Sequence, residues 1–338
     1  MLKAKTNNSY SIAVVIPCYK VTKHILGVIG SIGPEIDHIY VVDDACPENT
    51  GKMVQKECND SRVSAIFSKK NQGVGGAVMA GYQAAIDAGY DIIVKLDGDG
   101  QMDPNLIEQF IEPIMSGTAD YTKGNRFFNL EEISAMPKVR LFGNAGLSFL
   151  TKISSGYWDL FDPTNGYTAI RSSVASILPF KKISKRYFFE TDMLFRLNIA
   201  RAVVVDVPMN ARYGDEISNL KISKVIGEFF IKNIKNFIKR IFYNYYLRDM
   251  SIASLELPIG LFLLIFGGVF GVSNWISSAR AGVATSAGTV MIVGMSLIMG
   301  LQLVLAFFAY DISTVPRRPL GGRKSPLASS SKSDSKSI

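Results

Sequence analysis

Two apolar segments near the C-terminus, Leu255–Ile276 (LELPIGLFLLIFGGVFGVSNWI) and Thr289–Tyr310 (TVMIVGMSLIMGLQLVLAFFAY), constrain this chain more than any other feature. A hydrocarbon core of about 30 Å takes ~20 residues of helix to cross, and each segment is that long. The sequence therefore predicts a two-helix transmembrane hairpin over 251–315. Arg280 is the one charge between the two segments; Arg248 precedes the pair, and Arg317, Arg318, Arg323 and Lys324 come after it. Cytoplasmic flanks are enriched in Lys and Arg, so both ends of the hairpin are expected in the cytoplasm. The opening MLKAKTNNSY lacks the apolar core of a secretory signal, so the N-terminal domain is expected on the same side.

The remaining length suits one soluble domain of 1–220. A formal net charge of +8 over 338 residues points to nucleic acid, an acidic membrane surface or a phosphorylated substrate. Placement along the chain favours the membrane: Lys224, Lys232, Lys235 and Lys239 share one side of a segment that carries Ile226, Phe230, Ile234, Phe237, Ile241 and Tyr245 on another. That pattern predicts a basic amphipathic helix over 221–250 lying in the membrane interface. The alternative is a surface helix packed on its own domain. The stripe lacks interleaved aromatic platforms, so no nucleic acid partner is expected. The Ser-, Lys- and Gly-rich stretch 316–338 reads as a disordered basic tail.

Three cysteines without a CxxC pair argue against a disulfide framework or a zinc site, and two histidines leave little for a histidine-rich metal centre. A bound metal is then expected to be hard and held by carboxylates and phosphates. Over the first 130 residues, apolar runs such as IAVVIP, HIYVVDD, VSAIFS and DIIVKLDGDG alternate with helical stretches, the pattern of βαβ units around a mostly parallel sheet. Ligands of such sheets sit beyond the carboxyl ends of the strands. Both acidic pairs, Asp43/Asp44 and Asp97/Asp99, fall at such ends. In KLDGDGQMDP, two carboxylates one residue apart among glycines suit Mg²⁺ or Mn²⁺ carrying phosphate oxygens. Asp103 before Pro104 reads as a helix cap. Asp43/Asp44 either hydrogen-bond a nucleobase or ribose or serve loop chemistry. The glycines of NQGVGGAVMAGY do not have GxGxxG spacing and come after the third strand, so they are not read as a dinucleotide fingerprint.

Taken together, VVIPCYK, VVDDACPENT, NQGVGGAVMAGY and LDGDGQMDP over residues 10–215 resemble glycosyltransferase family 2, and in particular dolichol-phosphate mannose synthases and bacterial polyprenyl-phosphate glycosyltransferases. The resemblance implies a GT-A fold: a Rossmann-like, mostly parallel α/β sheet with helices on both faces. It further implies a metal site at Asp97, Asp99 and Gln101, and a nucleotide-sugar pocket involving Pro17, Tyr19, Asp43, Asp44, Asn71, Gly73 and Asp97. Arg126 and Arg140 resemble the pair that grips a lipid phosphate, for which the planar arginine fork is suited; an ion pair with Glu131 or Glu132 is the alternative for each. Arg212, Ser218 and Lys221 resemble a basic loop over the donor diphosphate, although Asp215 and Glu216 interrupt the expected pattern.

The reaction implied by the resemblance is transfer of a sugar from a nucleotide-sugar donor to a polyprenyl phosphate at the bilayer, by inverting displacement. A phosphate acceptor is already ionised near neutral pH and needs no general base. A hydroxyl acceptor needs one, for which Glu190 and Asp192 in FFETD stand at the family position; otherwise the two orient nearby arginines. Transfer to a lipid-linked saccharide and a non-catalytic nucleotide-sugar-binding subunit are the competing expectations. A homo-oligomer is compatible with all three.

Overall fold

A computed structural model describes residues 10–128, 138–210 and 222–322. The chain forms two compact units, Met1–Asn236 with Pro316–Ile338, and Phe237–Val315.

In the first unit the elements run β1 (Ile12–Cys18), α1 (Ile25–Gly30), β2 (His38–Asp43), α2 (Thr50–Glu57), β3 (Val63–Phe67), α3 (Val74–Asp87), β4 (Ile92–Lys95), α4 (Ile107–Met115), β5 (Tyr121–Asn125), α5 (Lys138–Ser155), β6 (Thr168–Arg171), α6 (Ser172–Ser176), α7 (Phe189–Ala200) and β7 (Val204–Pro208). The β-branched run of β1 is buried along nearly its whole length, as a strand covered on both sides must be. The described strands form a seven-stranded sheet of order β3-β2-β1-β4-β6-β5-β7. β1 pairs in parallel with β2 and β4, β2 with β3, and β5 with β7. β6 alone is antiparallel, to β4 and β5. This reversal brings the loop before β6 to the same sheet end as the carboxyl termini of β1, β2, β4 and β5. The sheet core is apolar: Val14, Ile16, Ile39, Val41 and Val94 are all inaccessible.

Helix α8 (Ile222–Phe242) differs from its sequence pattern. Among its described side chains Asn233, Asn236 and Arg240 are buried together with Ile241, whereas Phe230, Ile231, Ile234, Ile238 and Phe242 are exposed. Polar residues face inward because each finds a partner: Ser154 donates to Asn233 Oδ1 at 2.5 Å, and Asn236 Nδ2 donates to Asp192 Oδ1 at 3.1 Å. Of the six apolar residues expected on one exposed face, Phe230 and Ile234 are exposed; Ile241 and Tyr245 are instead buried, with Phe237 packed against them, and the side chain of Ile226 lies outside what the structure describes. The exposed apolar stripe runs through 230, 234, 238 and 242, at four-residue spacing, flanked by exposed Lys235 and Lys239.

In the second unit a π-helical turn (Tyr243–Arg248) leads to α9 (Ala253–Ala281) and α10 (Ala287–Ser313). Both are long and apolar enough to cross a membrane, and 11% and 17% of their apolar windows are buried, too little for core helices. They meet through small residues. A Cβ on Gly260 would lie 3.0 Å from the Gly300 carbonyl oxygen, and Gly267 abuts Ser296 and Leu297, so the backbones approach closely. Arg240 and Tyr245 both bind the buried Asp311 carboxylate, with Arg240 Nη1 at 2.6 Å and Nη2 at 2.9 Å. The fork and the hydroxyl supply the countercharge and hydrogen bonds that a buried carboxylate needs.

The stretch expected to be disordered from 316 begins in order. Leu320 and Gly321 donate their backbone N–H groups to Asp120 at 2.9 and 3.0 Å, beside Val203 N–H at 2.9 Å. Asp120 is inaccessible, and a side chain on Gly321 would collide with Arg171. A buried carboxylate wins this segment because three backbone donors replace its lost water. Residues 323–338 lie outside the described residues. Asp120→Ala, which strands three donors, is expected to cost about 2–4 kcal/mol, read as a lower thermal unfolding midpoint of the detergent-solubilised protein.

Candidate active site

The carboxyl ends of β1 and β2 are adjacent in register, Pro17 opposite Val42 and Cys18 opposite Asp43. Tyr19, just beyond β1, is 46% exposed and open to a ligand. The two acidic residues at the end of β2, Asp43 and Asp44, are buried and occupied by the loops they build. Asp43 accepts from Cys46 N and Gly51 N, each at 2.7 Å, which ties it to the start of α2. Asp44 accepts from Gln72 N and Gly73 N, and Asn71 Nδ2 donates to its carbonyl oxygen. Asp44, Asn71 and Gly73 are thus brought together as one loop assembly. Lys20 and Ala45, the residues after Tyr19 and Asp44, hold left-handed backbone at φ 60° and 53°. Strain of this kind concentrates at ligand sites.

The glycines of NQGVGG serve packing. A Cβ on Gly73 would approach the Lys185 carbonyl to 2.6 Å, and one on Gly75 would meet the Phe189 ring at 2.6 Å. They allow the start of α3 to press against the segment that leads into α7. That contact carries Glu190, at the N-terminal turn of α7, to the sheet end where Asp97 lies.

Lys95 is the last residue of β4, is 2% exposed, and brings its ammonium 2.7 Å from Asp97 Oδ1 and 3.9 Å from Glu190 Oε1. Gly166, in the loop before β6, borders this cluster. Any Cβ there would collide with Lys95 Nζ and come within 2.9 Å of Asp97 Oδ2. Asp99 Oδ1 accepts from Gln101 N at 2.9 Å, which closes the loop on itself, while Gly100 holds φ +79°, a conformation a side chain would strain. Asp103 accepts from Asn105 N at 3.1 Å and caps the turn Pro104–Leu106 as expected.

A second charged group adjoins the first. Lys123 on β5 is inaccessible, donates to the Asn165 carbonyl, and faces Asp206 across the β5–β7 register. Burial pulls Lys123 down to about 8, although Glu190, Asp162 and Asp206 resist this. Burial also raises Glu190 above the ordinary carboxylate range against the pull of Lys95 and Lys123. Arg126 binds Asp162, Nε to Oδ2 at 2.7 Å and Nη2 to Oδ1 at 3.1 Å, while Glu131 and Glu132, its expected alternative partners, lie outside the described residues. Asp162 is inaccessible, so burial opposes its charge, yet the arginine fork outweighs burial and holds it below the usual range. Arg126 itself is 32% exposed and reaches the surface.

Asp192 is buried, accepts from Ser184 N at 2.8 Å and Asn236 Nδ2 at 3.1 Å, and lies 4.0 Å from Arg196. Its two oxygens tie α7 to α8 and to the Ser184 backbone, and of the arginines it was expected to orient Arg196 is within reach. The side chain of Arg140, within α5, and residues Arg212, Ser218 and Lys221 lie outside what the structure describes. Lys95, Lys123, Asp162 and Asp206 were not singled out from the sequence. For Lys95, Lys123 and Asp206 the signal was a charge set inside a strand, in IIVK, YTKGN and VVDVP; Asp162, in the loop before β6, carried no such signal.

Among the described residues no three His, Cys, Asp or Glu side chains converge as a ready metal cage. Asp97 and Asp99 supply hard oxygen donors, and the bare backbone at Gly166 leaves Asp97 Oδ2 uncrowded, so a Mg²⁺- or Mn²⁺-sized ion fits if a phosphate ligand completes it.

The Glycosyl transferase family 2 model matches residues 13–178. A UDP-N-acetylglucosamine–dolichyl-phosphate N-acetylglucosaminyltransferase of Methanococcus voltae is 32% identical over 60% of this chain and 86% of its own length. The chain belongs to glycosyl transferase family 2. This family 2 transferase is also 30% identical to the undecaprenyl-phosphate mannosyltransferase of Micrococcus luteus, over 59% of this chain and 82% of that one. Among solved structures, glucosyl-3-phosphoglycerate synthase from Mycobacterium tuberculosis, in complex with Mn²⁺, UDP and glucosyl-3-phosphoglycerate, aligns with a TM-score of 0.50. It covers 68% of this chain and 80% of its own at 17% identity, a likeness of fold. The sheet and its helices are thus the GT-A-like architecture that the sequence predicted.

Asp206 gives the transferase a pH signature. Burial raises it to about 6, above an unfolded value near ~4. Between these values the unfolded chain has released a proton that the folded protein retains, so stability falls as pH rises from about 4 to 6. Asp206→Asn is expected to flatten that part of the profile, measured as unfolding midpoint against pH beside the unchanged protein.

Proposed function

We propose that this family 2 transferase moves a sugar from a nucleotide-sugar donor to a polyprenyl phosphate at the bilayer, by direct inverting displacement. The observation that carries this reading is a shared sheet end: Asp97 and Asp99 follow β4, and Arg126, a solvent-reaching arginine held by a buried carboxylate, follows β5, with β6 between the two strands. A site for a diphosphate leaving group and a cation for an incoming phosphate then lie at the same end of the sheet. The relatives named for dolichyl- and undecaprenyl-phosphate acceptors support the same acceptor class.

Asp97 and Asp99 would hold Mg²⁺ or Mn²⁺, whose chemistry is to offset charge on the departing nucleoside diphosphate. Tyr19 and Pro17 border the nucleotide, with the Asp44–Asn71–Gly73 assembly fixing the adjacent loop. Arg126 exchanges part of its fork from Asp162 to the acceptor phosphate, and Asp162 keeps the guanidinium aimed. An ionised phosphate attacks without a base, so Glu190 balances Lys95 and Lys123 rather than taking a proton. The exposed stripe at 230, 234, 238 and 242 with its lysines suits the membrane interface, and the hairpin suits a span with both ends cytoplasmic. Residues 212–221 remain the proposed basic loop over the donor, and Arg140 the second phosphate-gripping arginine.

Radiolabelled donor supplied with polyprenyl phosphate or with polyprenyl-linked saccharide tests the acceptor class; label in the second lipid alone would defeat the proposal. Asp99→Asn keeps the Gln101 contact and is expected to lower transfer at least about 100-fold, with EDTA abolishing it until Mn²⁺ is restored. Arg126→Ala is expected to raise the acceptor KM about tenfold or more and to leave donor binding unchanged, read from initial rates and donor thermal shift.

A further inference from the structure

Lys95 has no role in the chemistry above, yet it is the cation nearest to the carboxylates assigned to the metal. An ammonium with 2% exposure is stable only with a partner, and its partner is Asp97 Oδ1 at 2.7 Å. Its second carboxylate neighbour is Glu190, at 3.9 Å and itself nearly buried. Gly166 keeps the space around Nζ free, since a side chain there would occupy the ammonium's position. The sequence thus sets a positive charge two residues before a proposed metal ligand, and the fold leaves it nowhere to go except between two carboxylates.

Resting on the metal reading above, we propose that Lys95 is a resident counter-cation of Asp97 that disfavours a bare divalent ion and admits one that arrives with a nucleoside diphosphate. The physical ground is charge balance. A divalent ion sharing Asp97 with a buried ammonium is repelled by it, and the burial of the ammonium weakens the screening of that repulsion. A diphosphate brings negative charge of its own, which cancels that cost, while Glu190 retains the ammonium as its hold on Asp97 loosens. Lys95 is in this sense a positioning residue: it acts on the ion through Asp97. Metal and donor then bind as one unit, and the empty site is not filled by free cation.

Mn²⁺ binding to the detergent-solubilised full chain, monitored by loss of the free-ion electron paramagnetic resonance signal, tests this with and without UDP or GDP. Lys95→Met is expected to bind Mn²⁺ alone about tenfold tighter or more than the unchanged protein, with the gain shrinking once nucleotide is present. Lys95→Arg, which keeps the charge, is expected to retain weak nucleotide-free binding, an outcome that a purely structural lysine does not predict. Glu190→Gln, close to isosteric, shifts the ammonium fully onto Asp97 and is expected to weaken nucleotide-free Mn²⁺ binding further; it serves if Lys95→Met fails to fold. Unchanged or weaker binding in Lys95→Met, or tighter binding in Glu190→Gln, overturns the role of Lys95. Failure of the unchanged protein to bind Mn²⁺ even with both nucleotides overturns the metal reading instead.

Discussion

Two lysines buried at the end of the sheet, Lys95 and Lys123, are the constraint around which the rest of the catalytic unit is arranged. A desolvated ammonium costs several kcal/mol unless carboxylates or carbonyls surround it. The antiparallel β6 answers that need: it returns the loop carrying Asp162, Asn165 and Gly166 to the end where β4 and β5 deliver their lysines. Helix α7 contributes Glu190 from the other side, and it can do so because glycines at the start of α3 let the two segments touch. The charges that bind substrate in this reading are therefore held by charges that do not.

The two acidic pairs show how similar sequence patterns diverge. Both come directly after an apolar strand, but Asp43 and Asp44 spend their oxygens on backbone donors of the loops at 46–51 and 72–73. Asp97 meets a lysine and an uncluttered backbone instead. The downstream chain makes the difference. After β2 it turns at once into α2, whose first turn needs an acceptor, whereas after β4 the Gly98–Gly100 loop closes on Asp99 and leaves Asp97 facing the β6 loop.

Outside the sheet, burial has been decided by hydrogen bonding more than by hydropathy. Helix α8 turns Asn233 and Asn236 inward and Phe230 and Ile234 outward because Ser154 and Asp192 await the amides. The segment at 316–322, which composition marks as unstructured, is ordered by the single carboxylate of Asp120. Neither partner is close in sequence, so no local pattern could announce the pairing.

Local pattern by itself determined the strand–helix alternation, the acidic strand ends, the cap at Asp103 and the two long apolar helices, since each depends on periodicity or on neighbours a few residues apart. It also brought the family within reach, because the motifs keep their order along the chain. Only the tertiary structure decided that Arg126 pairs with Asp162, that Asp192 ties helices together, that α8 is polar inside, and that Lys95 and Lys123 belong to the site. Arg126–Asp162, Asp192–Asn236 and Ser154–Asn233 are 36, 44 and 79 positions apart, the lysines depend on which groups lose their water, and such distances close only when the sheet has formed.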